Sequence, residues 1–216
     1  ARMVSEDEEL HEKVLREVAS MVASLDMRRT PPEMGAEIHR VIRRASGDTD
    51  PYRHLRERYT SLALDLLPEL RERVRSSDDP FDTALRICIA GNVIDFGANL
   101  TLQEADVIRT IDECLLEPVA GVPTARVRPL FDASSILWVG DNAGEIVLDR
   151  LVLELLDLQR ITYVVRGAPI INDATLDDAR ASGITEMVRV ITTGCDAPGA
   201  PPAACGGEFL QALEAR

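Results

Sequence analysis

The chain has 216 residues, enough to bury a substantial core in one large domain or two small ones. Its 37 acidic against 24 basic side chains give a net charge of −13, which repels nucleic acid and anionic membrane and makes neither an expected partner. No apolar run approaches the roughly 20 residues of a membrane-spanning helix; the opening "ARMVSEDEEL" is too polar for a signal peptide, and four cysteines do not make a disulfide scaffold, so a reduced, cytoplasmic setting is expected.

Residues 1–120 read as helix after helix. Ser5 is placed to cap "EDEELHEKVLREVASMVASL", whose Leu10, Val14, Leu15, Val18, Met21, Val22 and Leu25 follow three-four spacing. Thr30-Pro31 opens a second helix, with Gly47 as its stop, and Asp50-Pro51 opens a third. That third helix carries one stripe of Leu55, Tyr59, Leu62, Leu66, Leu70 and Val74, with Pro68 expected to kink or split it. Its run "RHLRER" reads as a solvated face. Asp79-Pro80 opens a fourth helix containing "IAGNVIDFG". Thr101, with Glu104 three residues on, reads as a capping box for a fifth. Cys88 and Cys114 fall in apolar helical contexts as small core residues.

The grammar changes after the connector "VAGVPTARVRPLF". The runs "SILWVG", "ITYVV" and "VRVITT" are short, β-branched and bounded by turns, and so predict buried parallel strands. Helices predicted at 145–158 and 174–182 alternate with them, which implies right-handed crossovers. The expected architecture is therefore α/β: a helical region, 1–120, packed on a Rossmann-like three-layer domain, 121–216, with a mainly parallel sheet. The chain starts without Met, and "GEFLQALEAR" stops where a further strand would follow, so a piece of a longer protein is expected.

Sites in open α/β sheets lie beyond the carboxyl ends of the strands. Here those ends carry Asp141-Asn142, then Arg166 with Asn172-Asp173 downstream, then Asp196. Oxygen donors of this kind suit Mg²⁺ or Mn²⁺ rather than zinc, and Arg166 beside helix N-termini suits an anion, a combination that fits phosphate chemistry. Taken singly, Asp141 and Asp173 read more readily as helix caps than as ligands, and Glu145 reads as a first-turn acid. "GDNAGE" carries neither a dinucleotide fingerprint nor a P-loop. On the fourth helix, Asn92 and Asp95 share a face, between glycines at 91 and 97 that permit close approach.

Together, "GDNAGEIVLDRLVLELL", "VVRGAPIINDATLDDA" and "IAGNVIDFG" resemble the damage-control phosphatase family, above all its prokaryotic branch, over nearly the whole chain. The resemblance implies a metal-dependent phosphatase acting on small phosphometabolites such as sugar phosphates or damaged phosphorylated metabolites. It assigns the metal to Asp141, Asn142 and Asp173, a site acid to Glu145, and contacts facing the site to Asn92 and Asp95. Arg166 is expected to bind phosphate, with Asn172 and Asp196 lining the substrate site. Mg²⁺ or Mn²⁺ is the expected cofactor, with Co²⁺ or Ni²⁺ as other transition metals. Two departures stand out: no N-terminal Cys-x-x-Cys is present, and no lysine lies in the α/β half to supply the family's Lys-Gly-x-x-Asn phosphate loop. The rival functions are a non-catalytic module binding metal or phosphometabolite, and a nucleotide- or S-adenosylmethionine-binding transferase. The transferase would want an acid where Arg166 ends the second strand.

Overall fold

A computed structural model describes residues 4–26, 28–93 and 103–215. The first helix, α1 (Glu8–Ala23), is capped by Asp7, whose carboxylate accepts from the Glu9 and Leu10 N–H groups. Ser5, the expected cap, instead accepts from the Asp7 N–H. In α2 (Pro31–Ser46) the Glu33 carboxylate reaches back to the Thr30 N–H and hydroxyl, and Gly47, at φ 71°, ends the helix in the left-handed region that favours glycine. The third helix, α3 (Arg53–Ser76), runs unbroken through Pro68, which lies on its exposed face. It is not split there because Tyr59, Leu66, Leu70 and Val74 anchor the helix to the core on both sides of the proline.

The fourth helix, α4 (Pro80–Val93), is followed by α5 (Glu104–Leu116). The α5 cap is Gln103 with Asp106; Thr101 lies outside the described residues. Residues expected to form a plain connector include a short helix, α6 (Thr124–Val127), and a 3₁₀ turn at Arg128–Asp132. From there Phe131 packs edge-on to Phe81 and against Trp138.

The strands β1 (Ile136–Val139), β2 (Ile161–Val165) and β3 (Arg189–Thr192) form a parallel sheet in the order β1-β2-β3, with Ile136 opposite Ile161 and Thr162 opposite Arg189. Helices α7 (Glu145–Leu153) and α8 (Leu176–Ala181) cover one face. There Ile146, Leu153, Ala179 and Ile184 meet Ile161, Tyr163 and Val165. On the other face α9 (Gly207–Glu214) sets Phe209 against Val164 and Ile191. β2 is the most buried of these three strands, with Thr162 alone half-buried. β1 is half-buried, with Val139 exposed, because it is an edge strand and the eight-residue α9 on that face packs at β3.

The largest core joins the two halves of the chain through α7. Val147, Leu148, Leu151 and Val152 on its outer face pack with Tyr59, Leu66 and Leu70 of α3 and with Ile87 and Ala90 of α4. Gly91 permits this approach, since a Cβ there would lie 3.0 Å from Leu148 Cδ1. No helix of the described residues is long and apolar enough to cross a membrane. Leu151→Ala, which empties the centre of this shared core, is expected to cost about 2–5 kcal/mol of stability, read from the urea midpoint; a change below ~1 kcal/mol would contradict the packing.

Candidate active site

The turn after β1 is built by what lies beneath it. The Gly140 N–H continues the ladder to the Val164 carbonyl (3.0 Å), and a Cβ at Gly140 would sit 2.5 Å from Tyr163 Oη. Backbone therefore runs directly over the buried tyrosine. The turn closes at Gly144, where φ is +88° and a Cβ would lie 3.2 Å from the Tyr59 carbonyl oxygen. A side chain there would meet α3 as well as an unfavourable dihedral.

The segment after β2 then doubles back onto this turn. Asn142 and Asp173 form an antiparallel bridge: the Ala143 N–H donates to the Asn172 carbonyl (2.9 Å), and the Ala174 N–H to the Asp141 carbonyl (2.7 Å). The Arg166 N–H donates to the Ala174 carbonyl (2.8 Å). Ile171, just before the bridge, has φ 46°, a conformation that β-branched residues rarely adopt and that tends to occur where function constrains the chain. Asp141, Asn142 and Asp173 thus come from two loops into one cluster.

Neither aspartate is a helix cap. Gly144 precedes α7, and α8 is capped by Thr175, whose N–H and hydroxyl both donate to Asp178 Oδ2. Arg166, buried, donates from Nε to Asp173 Oδ2 (2.6 Å), from Nη2 to Asp141 Oδ1 (2.9 Å) and from Nη1 to the Gly140 carbonyl (3.3 Å). It therefore holds the two carboxylates rather than standing apart as an isolated anion contact. Asn142 Nδ2 donates to Glu145 Oε1 (2.6 Å), which leaves the amide oxygen as the acceptor that a cation would use.

The electrostatics are those of crowded acids. Burial pushes the Glu145 carboxyl up to about 8, with Asp141, Asp149 and Asp173 adding repulsion against the Asn142 hydrogen bond. Burial also raises Asp173, opposed by Arg166 and by the Gly199 backbone N–H. A cavity of about 350 Å³ between α4 and the β1 edge is lined by Asn92, Asp141, Glu145, Asp149 and Trp138. Asn92 is accordingly brought to the acids; Asp95 lies outside the described residues. Asn172 is buried and contributes its backbone carbonyl to the bridge. Asp196 is drawn elsewhere, bound by Arg40 and by Arg43 Nη2 (2.6 Å) of α2.

Asp149 was not singled out in the sequence, although it stands one helical turn after Glu145 as a lone acid in an apolar run. Its Oδ2 accepts from Tyr163 Oη (2.5 Å) and Trp138 Nε1 (3.0 Å), the same tyrosine that underlies Gly140. Arg56, expected on a solvated face, is also buried. It is tied to Asp50 (2.7 and 2.8 Å) and to Asp178 (3.0 Å), so the start of α3 holds the capping box of α8.

Among the described residues no three or more of His, Cys, Asp and Glu form a metal cage. The strand-end set is two carboxylates and an amide oxygen, hard donors that fit Mg²⁺ or Mn²⁺. The mutual repulsion of Asp141, Glu145 and Asp173 is what a bound cation would relieve.

Fold and site together define an α/β protein with an acidic, oxygen-donor pocket at the strand ends. The whole chain, residues 1–216, matches the damage-control phosphatase ARMT1-like domain, and the protein belongs to that family. It is 38% identical over 192 residues to the uncharacterized protein MJ0202 of Methanocaldococcus jannaschii, covering 85% of this chain and 62% of that protein's length. A damage-control phosphatase of Archaeoglobus fulgidus is 31% identical over 99% of this chain and 76% of its own. The crystal structure of a DUF89 family protein from Pyrococcus horikoshii superposes with a TM-score of 0.85 at 23% identity, over 99% of this chain and 75% of that one, which establishes the shared fold.

Burial pushes Asp149 up from 3.8 to about 6, against the hydrogen bonds from Tyr163, Trp138 and Cys88. A folded-state value above the unfolded one gives stability that is full below the unfolded value and lost as pH rises through the folded value. Stability measured relative to Asp149→Asn is therefore expected to fall between pH 4 and 7, by up to about 3 kcal/mol. Urea melts of the two proteins across that range check it, and parallel curves would contradict it.

Proposed function

We propose that the protein is a metal-dependent phosphatase that hydrolyses small phosphometabolites, sugar phosphates or damaged phosphorylated metabolites among them, in the cytoplasm. One observation carries this reading: the Asn142–Asp173 bridge, which gathers Asp141, Asn142, Asp173 and Glu145 at one point beside a cavity of about 350 Å³. Relatives named damage-control phosphatase support it.

Asp141, Asn142 and Asp173 would hold Mg²⁺ or Mn²⁺. Bound there, the cation supplies charge neutralisation and orientation of the phosphate oxygens. Arg166 fixes the two carboxylates relative to each other through paired hydrogen bonds. Glu145, held by Asn142 at the cavity wall, would position a water or move a proton to or from the reacting oxygens. Asn92, on the α4 side of the same cavity, would contact the organic part of a substrate. A nucleotide- or S-adenosylmethionine-binding site is disfavoured because β2 is followed by Arg166, whose guanidinium is committed to two aspartates.

Phosphate release from a panel of sugar phosphates in the presence of Mn²⁺ tests the proposal. Asp141→Ala and Asp173→Ala, checked for folding by circular dichroism, are expected to lose more than about a hundred-fold in kcat/KM, and chelation is expected to abolish turnover in the parent. Turnover that survives chelation or either substitution would overturn the assignment.

A further inference from the structure

Two of the four cysteines face each other in a loop the proposed reaction does not use. Cys195 follows β3, Cys205 precedes α9, and their sulfurs stand 3.9 Å apart. The nine residues between them form a loop beside the site: the Gly199 backbone N–H acts to lower the Asp173 carboxyl, and Asp196 is bound by Arg40 and Arg43. The stems of the loop are already pinned. Gly206 N–H donates to the Thr193 carbonyl (2.8 Å), and Gly167 N–H to the Cys195 carbonyl (3.1 Å). Gly194, at φ +74°, lies so close to the second stem that a Cβ would be 2.9 Å from Gly206 N. Between stems pinned on both sides, the sulfurs need to close by only about 2 Å to reach bonding distance. Cys88 and Cys114 sit on α4 and α5 against the helical core, and Cys88 bonds the Leu148 carbonyl.

We propose that Cys195 and Cys205 form a reversible disulfide, a modification site for low-molecular-weight disulfides of the oxidised-glutathione class. Cys205, half-buried, is the thiol such a reagent reaches; Cys195, buried, resolves the adduct. The Cys205 thiolate attacks one sulfur of the reagent, breaking its S–S bond and releasing one thiolate. The Cys195 thiolate then attacks the Cys205 sulfur of the mixed disulfide and displaces the second. Two electrons pass to the reagent, which leaves as two thiols carrying the two protons, and the loop is closed covalently. Burial and the neighbouring thiol raise Cys205 to about 11, which slows the first attack and makes Cys205 a poor leaving group once the bond has formed. The bond would tether the loop bearing Asp196 and Gly199 against α2 and Asp173. This inference stands independently of the phosphatase proposal.

The test is incubation of the native protein with oxidised glutathione, followed by intact mass and peptide mapping. The expected product has lost two hydrogens and carries no glutathione. Cleavage before Asp196 leaves its two fragments joined until a reductant is added. In Cys195→Ser the glutathione adduct should instead persist on Cys205. A wild-type protein that keeps both thiols free, accumulates the adduct on Cys205 as the variant does, or cross-links through Cys88 or Cys114 would overturn the proposal. Mapping of the wild type decides the matter even if the variant does not fold.

Discussion

The site depends on two backbone hydrogen bonds between the loops that follow β1 and β2. The Ala143 and Ala174 N–H groups donate across to the Asn172 and Asp141 carbonyls, so that the turn after β1 and the return after β2 run as a short antiparallel pair. Without that pair, Asp141 and Asp173 would belong to separate strand ends. With it, they share one guanidinium, that of Arg166. Small residues surround the bridge: Gly140 passes over Tyr163 and Gly144 over Tyr59, while Ala143 and Ala174, in the bridge itself, are fully buried.

Holding acids together at a site that runs from exposed Asp141 to buried Asp173 is costly, and the surrounding groups show how the fold manages it. Arg166 offsets Asp173 and Asp141; Asn142 is bonded to Glu145; Tyr163 and Trp138 donate to Asp149. A second buried cluster, Arg56 with Asp50 and Asp178, fastens the start of α3 to the cap of α8, two residues beyond Asp173. Removing one member of such a cluster leaves an uncompensated buried charge, which is more destabilising than the pair is stabilising. The helical half thus acts on the site both through the apolar face of α7 and through this ion cluster.

Much of this was legible in the sequence. The apolar stripe of α3, the strand runs and the Asp-Asn turn are local patterns, and periodicity and turn chemistry report local patterns well. What escaped was non-local. Arg56 looks like any exposed arginine in "RHLRER" until Asp178 arrives from 122 residues away, and Asp196 looks like a strand-end ligand until α2 brings Arg40 and Arg43 to it. The cap readings of Asp141 and Asp173 were reasonable one residue at a time. They fail because Gly144 and Thr175 hold the cap positions, one by its dihedral and the other through Asp178. Asp149 did leave a trace, an acid where an amphipathic α7 should be apolar, but only the indole and phenol beside it show why it is tolerated.

The most direct test of the account is a calorimetric Mn²⁺ titration of the folded protein beside Asp173→Asn, an almost isosteric change that keeps a hydrogen-bond acceptor for Arg166 while removing the charge. One-to-one binding that is lost in the variant, with the circular dichroism spectrum unchanged, is the result predicted by a metal held where the two loops meet. Undiminished binding in the variant, or none in the folded parent, would mean that the acids gathered by the bridge serve the architecture and not a cation.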